Sequence, residues 1–150
     1  MIEIEQVSFT YETAKSGATI RNINVRIPKG QIVLLCGESG SGKTTFSRLI
    51  NGLIPAYYDG DLNGRIMVSQ KDTSKVELHE LAPFVGSVFQ NPKSQFYTLL
   101  TDTEIVFACE NIGMEKPDIL CRFNSTVDSL HIEKLLGKSL FALAGGEKQK

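Results

Sequence analysis

A continuous apolar run, QIVLLC at 31–36, is followed without a break by GESGSGKTT at 37–45 and then by FSRLI at 46–50. No other stretch limits the fold as much. The apolar run reads as a central strand buried on both faces. The segment TTFSRLINGL (44–53) places Phe46, Leu49, Ile50 and Leu53 on one side of a helix, with Gly52 near its end. Between them lies a loop almost free of apolar side chains. A phosphate group needs several donors converging at close range. Backbone amides supply them where no Cβ blocks the approach, as at Gly37, Gly40 and Gly42. A helix beginning at once adds its first-turn amides and its dipole. Lys43 then reaches the β- and γ-phosphates as a point charge, and the Thr44 hydroxyl is placed to ligate Mg²⁺. Glu38, Ser39, Ser41 and Thr45 belong to the same nucleotide-binding loop. The pattern is G-x-x-x-x-G-K-[ST], in the strand–loop–helix context it requires.

The rest of the chain is consistent with a globular α/β protein. It has 150 residues with a formal net charge of -1, so no electrostatic field favours nucleic acid. Ile2 and Ile4, then Val7 and Phe9, predict a first strand with a register slip. Ile23, Val25 and Ile27 alternate as in a half-buried strand, PKG (28–30) is a turn, and GRIMVS (64–69) and FVGSVFQ (84–90) read as strands. A helix is expected over 101–114, opened by a Thr101–Glu104 capping box and turning Ile105, Ala108, Cys109 and Ile112 to one side. Pro117 suits the first turn of another helix running to about residue 130. The odd set Cys36, Cys109 and Cys121 lacks metal-ligand spacing and is expected to pack as reduced thiols. His79 and His131 read as surface or packing residues. The order of elements implies two lobes, roughly 1–90 for the nucleotide-binding core and 91–150 for a helical portion.

Three further segments narrow the class. GSVFQNPKSQFY (86–97), LAGGEKQK (143–150) and SFTY (8–11) join the phosphate loop in one order along the chain. Together they resemble the ABC-type ATPases. That resemblance implies a P-loop NTPase with an antiparallel β edge, a RecA-like core and a helical lobe, cut after its signature motif. It implies ATP and Mg²⁺ as ligands. Lys43 and Gln90 would then be the catalytic residues, and Thr44 and Gln90 the metal ligands. Tyr11 would stack on adenine, a role phenylalanine would fill equally well. Ala144, Gly145, Gly146 and Glu147 would meet nucleotide held by a second ABC ATPase domain. Within the family, NGLIPAYYDGDLNGRI (51–66) and FQNPKSQF with TEIVFACENIGM are similar to the ATPases of energy-coupling-factor importers of vitamins and metal ions. There the matching positions near Gln90, Phe96 and Tyr97 meet a transmembrane coupling subunit, at the cytoplasmic face of the membrane.

The sequence departs from the family pattern twice. Ala144 and Glu147 stand where the signature has serine and glutamine. The Walker B strand, D-loop and switch histidine are not within these 150 residues, so the chain reads as the front portion of a longer ATPase domain, expected to be inactive alone. The sheet of such a portion leaves a flank of the 31–36 strand unpaired, and an exposed apolar edge invites association. The resemblance leaves two alternatives to an importer ATPase. One is a non-transport ABC ATPase acting on DNA or ribosomes; the other is a nucleotide-binding fragment without catalysis.

Overall fold

The protein is represented by a computed structural model that describes residues 1–13, 19–91 and 95–149. Residues 92–94 of the glutamine segment and Lys150 of the LAGGEKQK segment therefore lie outside the described residues. The chain divides into two compact units, Met1–Ser87 and Val88–Lys150.

The first unit is built on an antiparallel sheet. Its strands β1 (Ile2–Tyr11), β2 (Ile20–Ile27), β3 (Gly60–Val68) and β4 (Lys71–Asp72) lie in the order β2-β1-β3-β4. The slip expected in β1 is present. Ile4 pairs with Val25 and Val7 with Ile23, so Glu5 and Gln6 of β1 oppose Asn24 alone of β2. Gln6 absorbs the extra residue at a left-handed φ of 51°. A strand alternates faces residue by residue, so without this bulge Ile4 and Val7 could not both face inward. With it, Ile4, Val7 and Phe9 are all buried. Helix α1 (Lys43–Ile50) lays Leu49 against the same cluster, beside Ile20, Ile54, Ile66 and Val68. Two short helices complete the unit, α2 (Leu53–Ala56) and α3 (Leu78–Leu81). The α3 cap is a reciprocal one between Glu77 and Glu80.

Two expected strands are not formed. Residues 31–36 run as irregular backbone, with Ile32 100% and Leu34 86% exposed. A strand needs lateral hydrogen-bond partners, and β1, β2, β3 and β4 pair only with one another. The described sheet is thus the antiparallel edge, without the parallel core strand. Residues 84–90 are likewise irregular, with Phe84, Val88 and Phe89 exposed. The thiols differ from expectation too, since Cys36 and Cys121 are exposed and only Cys109 is half-buried.

The second unit holds α4 (Thr101–Asn111) and α5 (Lys116–Leu130), with Pro117 in the first turn of α5 as expected. Val127, Ile132, Leu140 and Leu143 are buried. The capping box predicted at Thr101 is absent because both side chains are engaged elsewhere. The N-cap is Leu100, and the Thr101 hydroxyl donates to the Leu135 carbonyl at 2.7 Å. Glu104 instead accepts from the Tyr97 and Thr98 amides and the Thr98 hydroxyl. On the apolar face of α4, Ile105 and Cys109 are half-buried while Ala108 and Ile112 are exposed. No helix among the described residues is long and apolar enough to cross a membrane.

The β1 bulge and Gly64 are fitted to each other. Gly64 sits at φ 93°, and a Cβ there would lie 2.6 Å from the carbonyl oxygens of both Glu5 and Gln6. Gly64→Ala is expected to lower unfolding stability by about 1–3 kcal/mol through left-handed strain alone. Gly86→Ala, where a Cβ meets nothing within 4 Å, should be near neutral. Equal urea midpoints for the two variants would disprove this account of the bulge.

Candidate functional site: the glycine loop and the start of α1

Residues 37–42 lead directly into α1, whose N-cap is Gly42 at φ 91°. No side chain caps this helix. A side chain at position 42 would be strained, and its Cβ would lie 2.7 Å from the Ile20 side chain. The first intrahelical bond runs from the Phe46 amide to the Gly42 carbonyl. The amides of the first turn therefore have no acceptor within the helix. A Cβ at Gly40 would meet no protein atom within 4 Å, so the loop surface is open on that side.

Lys43 folds back over the loop. Its ammonium group donates to the carbonyls of Gly37 at 2.8 Å and Glu38 at 2.6 Å, and lies 3.4 Å from the Ser41 hydroxyl. The Ser41 amide donates to the Glu38 carbonyl, closing the turn through Ser39 and Gly40. Thr44 is exposed. This donor set suits a nucleotide with Mg²⁺: one ammonium, one exposed hydroxyl and uncapped amides. Among the described residues no group of His, Cys, Asp or Glu could hold a metal ion. A metal here would be of the kind held chiefly by phosphates and one or two protein oxygens.

Thr45 behaves differently from its neighbour. It is only 4% exposed, and its hydroxyl lies 3.2 Å from the Tyr11 hydroxyl. Arg48, one turn further along α1, donates to the same Tyr11 oxygen at 3.0 Å. The Arg48 guanidinium also stands 3.9 Å from the centre of the Tyr58 ring. Tyr11 meets Phe9 and Tyr58 edge-to-face, at 4.8 and 6.1 Å between ring centres. The structure therefore brings Tyr11, placed at the end of β1, onto the first turns of α1. Its hydroxyl is fully engaged, which phenylalanine could not reproduce. Arg48 and Tyr58 were not legible as participants. A lone arginine on a helix reads as solvated, and only the tyrosine pair in AYYDG hints at a cluster.

The remaining predicted residues lie in the second unit. Gln90 is exposed. Tyr97 is 78% exposed and stacks on Phe107 with ring centres 5.0 Å apart, while Phe96 is half-buried. Phe96 helps line an apolar cavity of about 250 Å³ with Ile105, Leu130, Leu143 and Glu147. Ala144, Gly145 and Gly146 are exposed and precede a single 3-10 turn, Glu147–Gln149. The Glu147 carboxylate reaches back to accept the Ala144 amide at 2.8 Å.

A family profile for the ABC transporter domain matches residues 20–150. The chain is 44% identical over 150 residues to a Treponema denticola protein described as an ABC transporter ATP-binding protein, of which it spans 30%. It is 36% identical over 150 residues to a similarly described Pyrococcus abyssi protein, of which it spans 53%. The chain thus spans about half or less of the length of these relatives. Among solved structures, the ATP-binding cassette MJ0796 in a dimeric post-hydrolysis state with ADP and Pi superposes with a TM-score of 0.78. The identity there is 21%, over 99% of this chain and 65% of that one. A second dimeric MJ0796 structure, of a bacterial ABC transporter cassette, gives 0.74 at 23% identity.

The engaged Tyr11 hydroxyl has a measurable consequence. Tyr11→Phe should leave the buried Thr45 hydroxyl and the Arg48 guanidinium short of a partner, costing about 1–3 kcal/mol without any ligand. Thermal unfolding of parent and variant in nucleotide-free buffer measures it, and an unchanged Tm would rule the bonds out as stabilising.

Proposed function

We propose, from the premise that this chain belongs to the ABC transporter family, that it is a nucleotide-binding part of an ATPase subunit powering a membrane importer. The observation that carries this reading is the uncapped start of α1 with Lys43 lying across an open glycine loop. In this reading residues 1–90 form the nucleotide-binding core and 91–150 the glutamine segment and helical lobe. Lys43 leaves its loop carbonyls to hold the β- and γ-phosphates. The amides from Gly37 to Thr45, with Glu38, Ser39, Gly40, Ser41 and Gly42 between, orient the phosphate chain. Thr44 would supply an oxygen to Mg²⁺, the family resemblance assigns Gln90 the same role, and Tyr11 would offer its ring to the adenine. Mg²⁺, when bound, neutralises the charge that develops on the transferred phosphoryl group. Everything this chain contributes is positioning and preorganised donors.

A second ABC ATPase domain is the proposed partner, a reading supported by the dimeric state of the solved neighbours. Ala144, Gly145, Gly146 and Glu147 would face the nucleotide it holds. The stretch around Gln90, Phe96 and Tyr97 would meet a transmembrane coupling subunit at the cytoplasmic face. We place the importer in the energy-coupling-factor class, taking up a vitamin or metal ion, on the resemblance of residues 51–66 and of the glutamine segment.

The test of nucleotide capture is calorimetry of ATP on the full-length protein. Lys43→Ala removes a charge-assisted contact of about 1.5–3 kcal/mol and should weaken ATP roughly tenfold or more. Equal affinity for parent and variant would overturn the assignment. The partner arrangement is tested separately at Ala144. The family's serine hydroxyl is missing there, and the local amide is already taken by Glu147. Ala144→Ser in the full-length complex should raise ATP-dependent dimer closure several-fold, through a hydrogen bond of about 1.5–3 kcal/mol to a charged acceptor. No change in dimerisation by light scattering would remove the reason to assign that role to residue 144.

A further inference from the structure

Arg48 is not part of the phosphate-loop motif, yet its guanidinium is held by both a hydrogen bond to Tyr11 and the Tyr58 ring. Its guanidinium carries only donors, so the Tyr11 oxygen must accept from it. The same Tyr11 hydroxyl shares a hydrogen bond of 3.2 Å with the Thr45 hydroxyl, in which either can donate. Thr45 and Arg48 are three residues apart on α1 and share a face. One helix thus grips one hydroxyl at two points, and that helix begins at Lys43. The guanidinium carbon lies 3.9 Å from the centre of the Tyr58 ring, which itself meets Tyr11 edge-to-face, so the cation is held within the same aromatic cluster. A tyrosine ring attached to a strand end by two rotatable bonds is thereby locked to the element that carries the phosphate-binding amides.

We propose that Arg48 is a positioning residue for base recognition: through the Tyr11 hydroxyl it fixes the aromatic ring relative to the start of α1, so that base and phosphates are read by one rigid unit. The inference rests on the nucleotide-site reading above and adds to it a residue and a division of labour. Phosphate affinity belongs to the loop and does not need Arg48. Base-dependent affinity needs Arg48 because the ring must already point where the base arrives, and ordering it only on binding weakens the complex.

The experiment compares ATP with inorganic tripolyphosphate, which carries the phosphates and no base, by calorimetry on the full-length protein. Arg48→Met keeps the apolar stem, and Tyr11→Phe keeps the ring. Each is expected to weaken ATP about five-fold, while tripolyphosphate changes by less than about two-fold. Since both act on one contact, the double variant should be no weaker for ATP than either single one. Arg48→Lys retains a donor for the Tyr11 oxygen and should recover part of the loss, which covers the case in which Arg48→Met folds poorly. A parallel loss for both ligands would show a general packing role and overturn the proposal, as would unchanged ATP binding in Arg48→Met and Arg48→Lys. A parent that binds neither ligand would instead overturn the nucleotide-site reading, and this inference with it. A parent that binds both, with Lys43→Ala weakening both, keeps that reading whichever way Arg48 falls.

Discussion

The start of α1 has no side-chain cap, and the surrounding structure compensates for it. An asparagine, aspartate or serine at the N-cap would stabilise such a helix by about 1 kcal/mol. It would also occupy one of the amides that a phosphate would need. Gly42 forgoes the cap, and its left-handed backbone brings the loop against Ile20. The helix is held from its other side. Leu49 is fully buried under the sheet, a contribution of about 1.5–3 kcal/mol. Thr45 is tied to Tyr11 in its first turn. The bulge in β1 matters to the same end, because it turns Val7 and Phe9 inward to meet Leu49 and lets the strand finish at Tyr11.

Much of this was legible in the residues. The spacing Ile2, Ile4, Val7, Phe9 announces a slipped strand because period-2 alternation fails by one residue, and Gln6 carries that residue. Pro117 marks a helix start because its ring suits the first turn and nothing later. The glycine loop leading into α1 was legible because its pattern is local: glycines, lysine and threonine within eight positions do not depend on distant partners. What failed depended on partners. An apolar run such as QIVLLC shows what could be buried, whereas burial needs neighbouring strands, and the four described strands pair among themselves. FVGSVFQ failed for the same reason.

Side-chain competition explains the smaller misses. Thr101 and Glu104 have the spacing of a capping box, but Leu135 offers the threonine a carbonyl and residues 97–98 offer the glutamate three donors. A motif defined by spacing cannot rank such offers. Tyr11 shows the converse. Its aromatic character was legible, and its hydroxyl chemistry was not, because the two groups that engage it lie 34 and 37 residues away.

The ammonium group of Lys43 is never without acceptors. The carbonyls of Gly37 and Glu38 accept from it at 2.8 and 2.6 Å. Under the proposed function, entry of a phosphate at this point would be a substitution rather than an addition: two backbone oxygens would leave as phosphate oxygens arrive. The free energy that reaches the ligand is the difference between two well-formed coordination shells, smaller than either.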